Sequence, residues 1–118
     1  MLDEYERVKL YDKAYRLWGK DAQILMAVEE MSELTQILLH HIRKNKKVTY
    51  TELASEIADV RIMMEQLIEI FSIYDKVIEQ EEIKLCKLSK YIESDPSDSA
   101  SQVSKTDDYN KGYEVNQK

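Results

Sequence analysis

The sequence predicts an all-α fold, an antiparallel bundle of four helices, on three observations. The 118 residues hold 2 Gly and 1 Pro, too few for the turns of an all-β chain. Apolar residues recur at spacings of three and four from the N-terminus to about residue 92. The breaks between these periodic runs are short, which favours antiparallel neighbours.

The elements follow in order. Helix one covers about Asp3 to Trp18, with Tyr5, Val8, Tyr11, Tyr15 and Trp18 on one side, and Gly19 stops it. Helix two is expected to start near Asp21 as N-cap and to run to about Arg43, where "KNKK" (Lys44 to Lys47) forms a loop. Thr49 followed by Glu52 is a capping-box pair that opens helix three, which reaches about Phe71. Helix four follows Asp75 and continues to about Ile92, with Ile78, Leu85, Leu88 and Ile92 on one side. Residues 1–92 thus form one helical domain. From Glu93 the text holds the only Pro and almost no aliphatic residues, so 93–118 is expected to be a disordered tail. Tyr109 and Tyr113 flank a Gly there and offer a second role, closing over a nucleotide base.

Charge and cysteine content exclude several classes. The net charge of −6 argues against non-specific nucleic-acid binding and against a membrane-surface helix protein. A single cysteine, Cys86, rules out an internal disulfide and a cysteine-based zinc site, and is expected to be a buried or neutral thiol. No apolar run approaches ~18 residues and no leader pattern opens the text, so a soluble, cytoplasmic setting without a membrane partner is expected.

Two helices share an arrangement that a plain bundle does not need. At ~100° per residue, Glu30 falls inside the apolar arc of Met26, Ala27, Leu34 and Ile37, with Glu33 at its edge. By the same construction Glu56 falls among Leu53, Val60, Met63, Leu67 and Ile70, with Asp59 at the edge. A lone charged carboxylate in a core is costly or takes up a proton, and two facing pairs repel. A cation between them resolves the conflict, and oxygen-only ligands suit Mg²⁺, with Mn²⁺ as an alternative. The plainer reading pairs these carboxylates with Lys or Arg. Arg61 is the only basic residue near those faces.

"EEMSE" (Glu29, Glu30, Glu33) followed by "EIAD" (Glu56, Asp59) resembles the EExxE…ExxD signature of the MazG-like all-α nucleoside triphosphate pyrophosphohydrolases. The 22 residues between Glu33 and Glu56 fall within the range such proteins show, and the similarity extends from about Tyr15 to Leu88. The resemblance implies Mg²⁺-dependent hydrolysis between the α and β phosphates, giving the monophosphate and pyrophosphate. It implies a homodimer or a dimer of dimers, with Glu30, Glu33, Glu56 and Asp59 as metal ligands. Glu29 matches the first Glu of the motif, which implies that it positions or deprotonates the attacking water. Its ordinary role would be a solvated surface Glu.

Other residues are candidates for substrate. Arg43 and Lys47 beside Lys44 and Lys46, and Lys84 on helix four, could hold phosphates, although charge runs are more often solvated faces. Trp18 could stack on a base and Gln23 hydrogen-bond it, although an aromatic at helical spacing is more often core. Two other function classes stay open. A di-iron carboxylate bundle usually carries Glu-x-x-His, and neither Glu33 nor Glu56 has His at i+3. A non-catalytic helical adaptor would share the fold, and a metal-dependent hydrolysis assay separates it from the enzyme.

Overall fold

The computed structural model describes residues 1–97, and these hold four α-helices and no strand. They are α1 (Glu4–Trp18), α2 (Lys20–Arg43), α3 (Tyr50–Phe71) and α4 (Tyr74–Ser94). The chain divides into two compact units, one through Tyr74 and one from Asp75 onward.

Local chemistry sets the ends of the helices. Asp3 is the N-cap of α1, accepting from the Glu6 amide while the Glu6 carboxylate accepts from the Asp3 amide. The same reciprocal box joins Thr49 and Glu52 at the start of α3, as the spacing predicts. Lys44 and Ser72 end α2 and α3 in the left-handed conformation, their amides bonded back into the last turns. The start of α2 differs from the expectation. The N-cap is Gly19, not Asp21, and Asp21 lies in the first turn, where its charge complements the helix dipole. Helix α4 also begins one residue before Asp75 and runs on to Ser94. Its Cys86 is exposed, so the buried alternative of the two expected is not the one found. The proposed tail falls mostly on 98–118, with Tyr109 and Tyr113, outside the described residues.

In the first unit α2 packs mainly against α3, and α1 touches both. The pairings fix direction. Gln23 meets Gln66, while Glu30, seven residues later on α2, meets Glu56 and Asp59 near the start of α3. The two helices are therefore antiparallel. Early α1 shares cavity walls with Glu69 and Ile70, whereas Ala14 and Trp18 share one with Asp59 and Ile62. One residue joins α1 to α2, and both helices contact α3.

That residue is Gly19, with φ 86° and ψ 167°, a region that side-chain-bearing residues avoid. A Cβ there would meet nothing within 4 Å, so the penalty of adding one is conformational only. Gly19→Ala is expected to lower unfolding free energy by ~1–3 kcal/mol. Urea denaturation followed by circular dichroism measures it, and an unchanged midpoint would refute the strain.

The interior of this unit is thin. Ala27 and Met63 are the buried apolar residues, and Gln23 and Gln66 the buried polar ones, among the described residues. At the α1–α3 contact, Arg7 donates from Nη2 to both carboxylate oxygens of Glu65, at 2.7 and 2.6 Å, and the Tyr11 hydroxyl donates to the same group.

Candidate metal and nucleotide site

The carboxylates that the helical wheel turns inward come together in space. One oxygen from each of Glu30, Glu33 and Glu56 lies within 4.8 Å of the others. Antiparallel packing makes this possible: residues one turn apart on α2 meet residues one turn apart on α3. Glu30 and Glu56 are half-buried and Glu33 is exposed, so the cluster opens to solvent along the Glu33 side. Glu29 is exposed on the neighbouring strip of α2.

No cation among the described residues pairs with these carboxylates. Among the described residues the ion pairs are Arg7–Glu65 and Arg16–Asp12, and Arg61 is exposed and joins neither. The Oε2 atoms of Glu30 and Glu56 are buried without a hydrogen-bond partner. Burial, followed by the charges of Glu33, Asp59 and Glu56, raises the Glu30 carboxyl above the ordinary range. Burial, followed by the charges of Glu33 and Asp59, does the same to Glu56. Asp59 is thus electrically part of the site, although it stands outside the close triplet. Three carboxylate oxygens around one point, two of them from groups with an unpartnered buried oxygen, form an oxygen-only donor set of the kind that hard divalent cations take.

A cavity of about 200 Å³ adjoins the cluster. Glu30 and Asp59 form one wall, Trp18 and Gln23 another, and Met26, Ile62, Met63 and Gln66 complete it with Ala14. Trp18 comes from the last turn of α1 and Gln23 from the first turn of α2, so the Gly19 link sets both against α3. Trp18 is 61% exposed, an aromatic held at the rim and not in the core. Gln23 is 2% exposed and donates from Nε2 to Gln66 Oε1 at 2.6 Å.

Compared with known proteins, the chain matches no family model, no curated protein and no solved structure.

Three more residues were expected to meet substrate: Arg43, Lys47 and Lys84. Arg43 ends α2 and Lys47 lies in the following loop, both exposed, and neither lines it. Lys84 is exposed on α4, within the second unit. His40 pairs its Nδ1 with Asn45 Oδ1 at 3.0 Å, a local contact at the end of α2. Sequence reasoning missed Gln66. It is a polar residue in the apolar text "MMEQLIEI", the same kind of signal that exposed Glu30 and Glu56. Among the described residues no helix is long and apolar enough to cross a membrane.

Proposed function

We propose that the protein is a Mg²⁺-dependent nucleoside triphosphate pyrophosphohydrolase of the MazG-like kind, working as a homodimer or dimer of dimers. The observation that carries this reading is the orphaned Oε2 pair of Glu30 and Glu56, buried inside a carboxylate cluster that no Lys or Arg of the described chain neutralises. Glu30, Glu33 and Glu56 would hold the ion, with Asp59 completing the set. Bound there, Mg²⁺ supplies charge neutralisation of the phosphates and polarises the phosphoryl oxygens.

The chain's own groups then divide the work. The carboxylates fix where a triphosphate can approach, because without a cation they repel it. Glu29 stands exposed beside them and would orient the attacking water and accept its proton at a carboxylate oxygen. Trp18 offers a ring face to the base at the cavity rim. The product pair is the monophosphate and pyrophosphate, and no covalent intermediate on the protein is required.

The test is a panel of ribo- and deoxyribonucleoside triphosphates incubated with Mg²⁺, the products resolved by chromatography. Pyrophosphate is expected in equal amount to monophosphate, and only with divalent cation present. Orthophosphate as first product, or no turnover with any triphosphate, would overturn the reading. Trp18→Ala is expected to raise KM by ~10-fold or more with kcat largely kept, as base stacking is typically worth ~1–3 kcal/mol. An unchanged KM would remove Trp18 from the base contact.

A further inference from the structure

Helix α1 is held to the rest of the first unit at few points. Of its 15 residues, Tyr11 and Ala14 are half-buried and the others are exposed. Among the described residues, each side-chain hydrogen bond or ion pair that leaves α1 ends on one group. That group is the Glu65 carboxylate of α3, which accepts from Arg7 and Tyr11. The Arg16–Asp12 ion pair and the contact of Lys9 with the Tyr5 ring lie within α1 itself. The seam between α1 and α3 is also poorly filled. A cavity of about 450 Å³ is walled by Tyr5, Tyr11 and Tyr15 and by Gln66, Glu69 and Ile70. Another of about 270 Å³ is lined by Arg7 and Tyr11 with Glu65 and Ile68. A helix with little burial and one polar clasp opens at a free energy well below that of the unit it packs on.

The other end of α1 has the makings of a hinge. Gly19 alone joins α1 to α2, and nothing lies within 4 Å of where a Cβ would stand, so nothing crowds the turn. At ~1.5 Å per residue, Tyr11 sits ~12 Å and Arg7 ~18 Å along the helix from Gly19. Between hinge and clasp lie Ala14 and Trp18. These two are the α1 walls of the cavity beside Glu30 and Asp59. Releasing Glu65 and turning α1 about Gly19 would take that wall away, and reseating α1 would restore it.

We propose that α1 is a strap, hinged at Gly19 and clasped to Glu65 by Arg7 and Tyr11, whose release opens the cavity beside the carboxylate cluster. The clasp suits a reversible device. The Arg7 and Glu65 side chains are 44 and 36% exposed, where an ion pair is weak and screened by salt. Its two parallel bonds nevertheless define a single seat for the helix. The triphosphate reading enters only in what would pass the strap. Hinge and clasp are properties of the metal-free chain.

Hydrogen exchange of the full, metal-free chain, followed by mass spectrometry, reads the opening. Residues 4–18 are expected to exchange at least ~10-fold faster than the turns of α2 and α3 around Gln23 and Gln66. Arg7→Gln combined with Tyr11→Phe should speed exchange of α1 a further ~3–10-fold and leave α2 and α3 unchanged. Glu65→Gln, which removes the ion pair and keeps an acceptor for Tyr11, should have a smaller effect of the same sign. High salt should speed α1 exchange in the parent and not in the Arg7/Tyr11 double variant. Access to the cavity is read chemically. In a Cys86→Ser background, Met63→Cys puts a thiol on the cavity wall at a position 5% exposed in the parent. Its alkylation by iodoacetamide should accelerate by the same factor as α1 exchange when the clasp is removed. Exchange of α1 that rises only together with that of α2 and α3, or alkylation that ignores the clasp, would overturn the strap. If Met63→Cys does not fold, exchange alone decides. A strap that opens in a chain releasing no pyrophosphate from any triphosphate would leave this inference standing and refute the hydrolase.

Discussion

Glu56→Gln is expected to abolish metal-dependent turnover while leaving the metal-free protein at least as stable as the parent, and Glu30→Gln to do the same. Loss of a direct ligand should exceed the ~10–100-fold effects typical of outer-shell partners. The stability half of this expectation is the unusual one, since removing a half-buried group commonly destabilises. Here the removed charge has no partner to strand and several like charges to repel it. An amide keeps the shape and relieves the repulsion. Thermal melting without metal checks it. A large fall in both variants would mean that Glu30 and Glu56 serve as structural ion-pair partners, which would sink the metal reading.

The same electrostatics sets a pH dependence. Both carboxyls bind their proton more tightly in the folded chain than in the unfolded one, through burial first and neighbouring carboxylates second. The stability they contribute is fully present below the ordinary Glu value of about 4.3. It is lost as pH rises through their raised folded values. The metal-free parent is therefore expected to gain melting temperature relative to the Glu30→Gln/Glu56→Gln double variant as pH falls from neutrality. At neutral pH, Mg²⁺ should raise the melting temperature of the parent and not of the double variant. A parallel pair of pH curves would show that the cluster is not under charge strain.

On the proposed homodimer, dilution is expected to unfold the protein, with folding and self-association coupled. On α2 the residues Leu25, Val28, Leu39 and Ile42 are 61, 49, 39 and 72% exposed. They recur at helical spacing, with Ser32 and Thr35 filling the stripe between them, on the side of α2 away from Gln23 and Glu30. The helix is thus apolar on two sides, and α3 covers only one of them. A unit whose buried apolar residues are Ala27 and Met63 lacks the interior that burial at ~25 cal/mol per Å² needs to offset chain entropy. In the proposed dimer, a second copy laid on the α2 stripe would supply it. The melting temperature should rise with protein concentration, and light scattering should give a dimer or larger species. A monomer mass independent of concentration would rule this out. Leu25→Glu with Ile42→Glu should shift the midpoint to higher concentration without touching the carboxylates.

What the sequence determined by itself was local. The capping box of Thr49 and Glu52 needs only residues three apart, and it forms where the text puts it. The inward turn of Glu30 and Glu56 follows from ~100° per residue and the position of their apolar neighbours. Both half-buried carboxylates were legible for that reason. Gly19 was legible as a stop but not as the N-cap of the next helix, since a φ of 86° is a property of the path between α1 and α2, not of the residue alone. Only the tertiary structure decided the register of α2 on α3. That register brings Glu33 level with Glu56 and leaves Asp59 just outside the close triplet. It also joins Gln23 to Gln66 across 43 residues and so decides which amide atom is left free. Helical periodicity gives the angle of a side chain about its own axis, but not which turn of a neighbouring helix it will face. That second coordinate is set by the packing of apolar ridges along the whole interface, and it placed Trp18 and the two glutamines around one cavity.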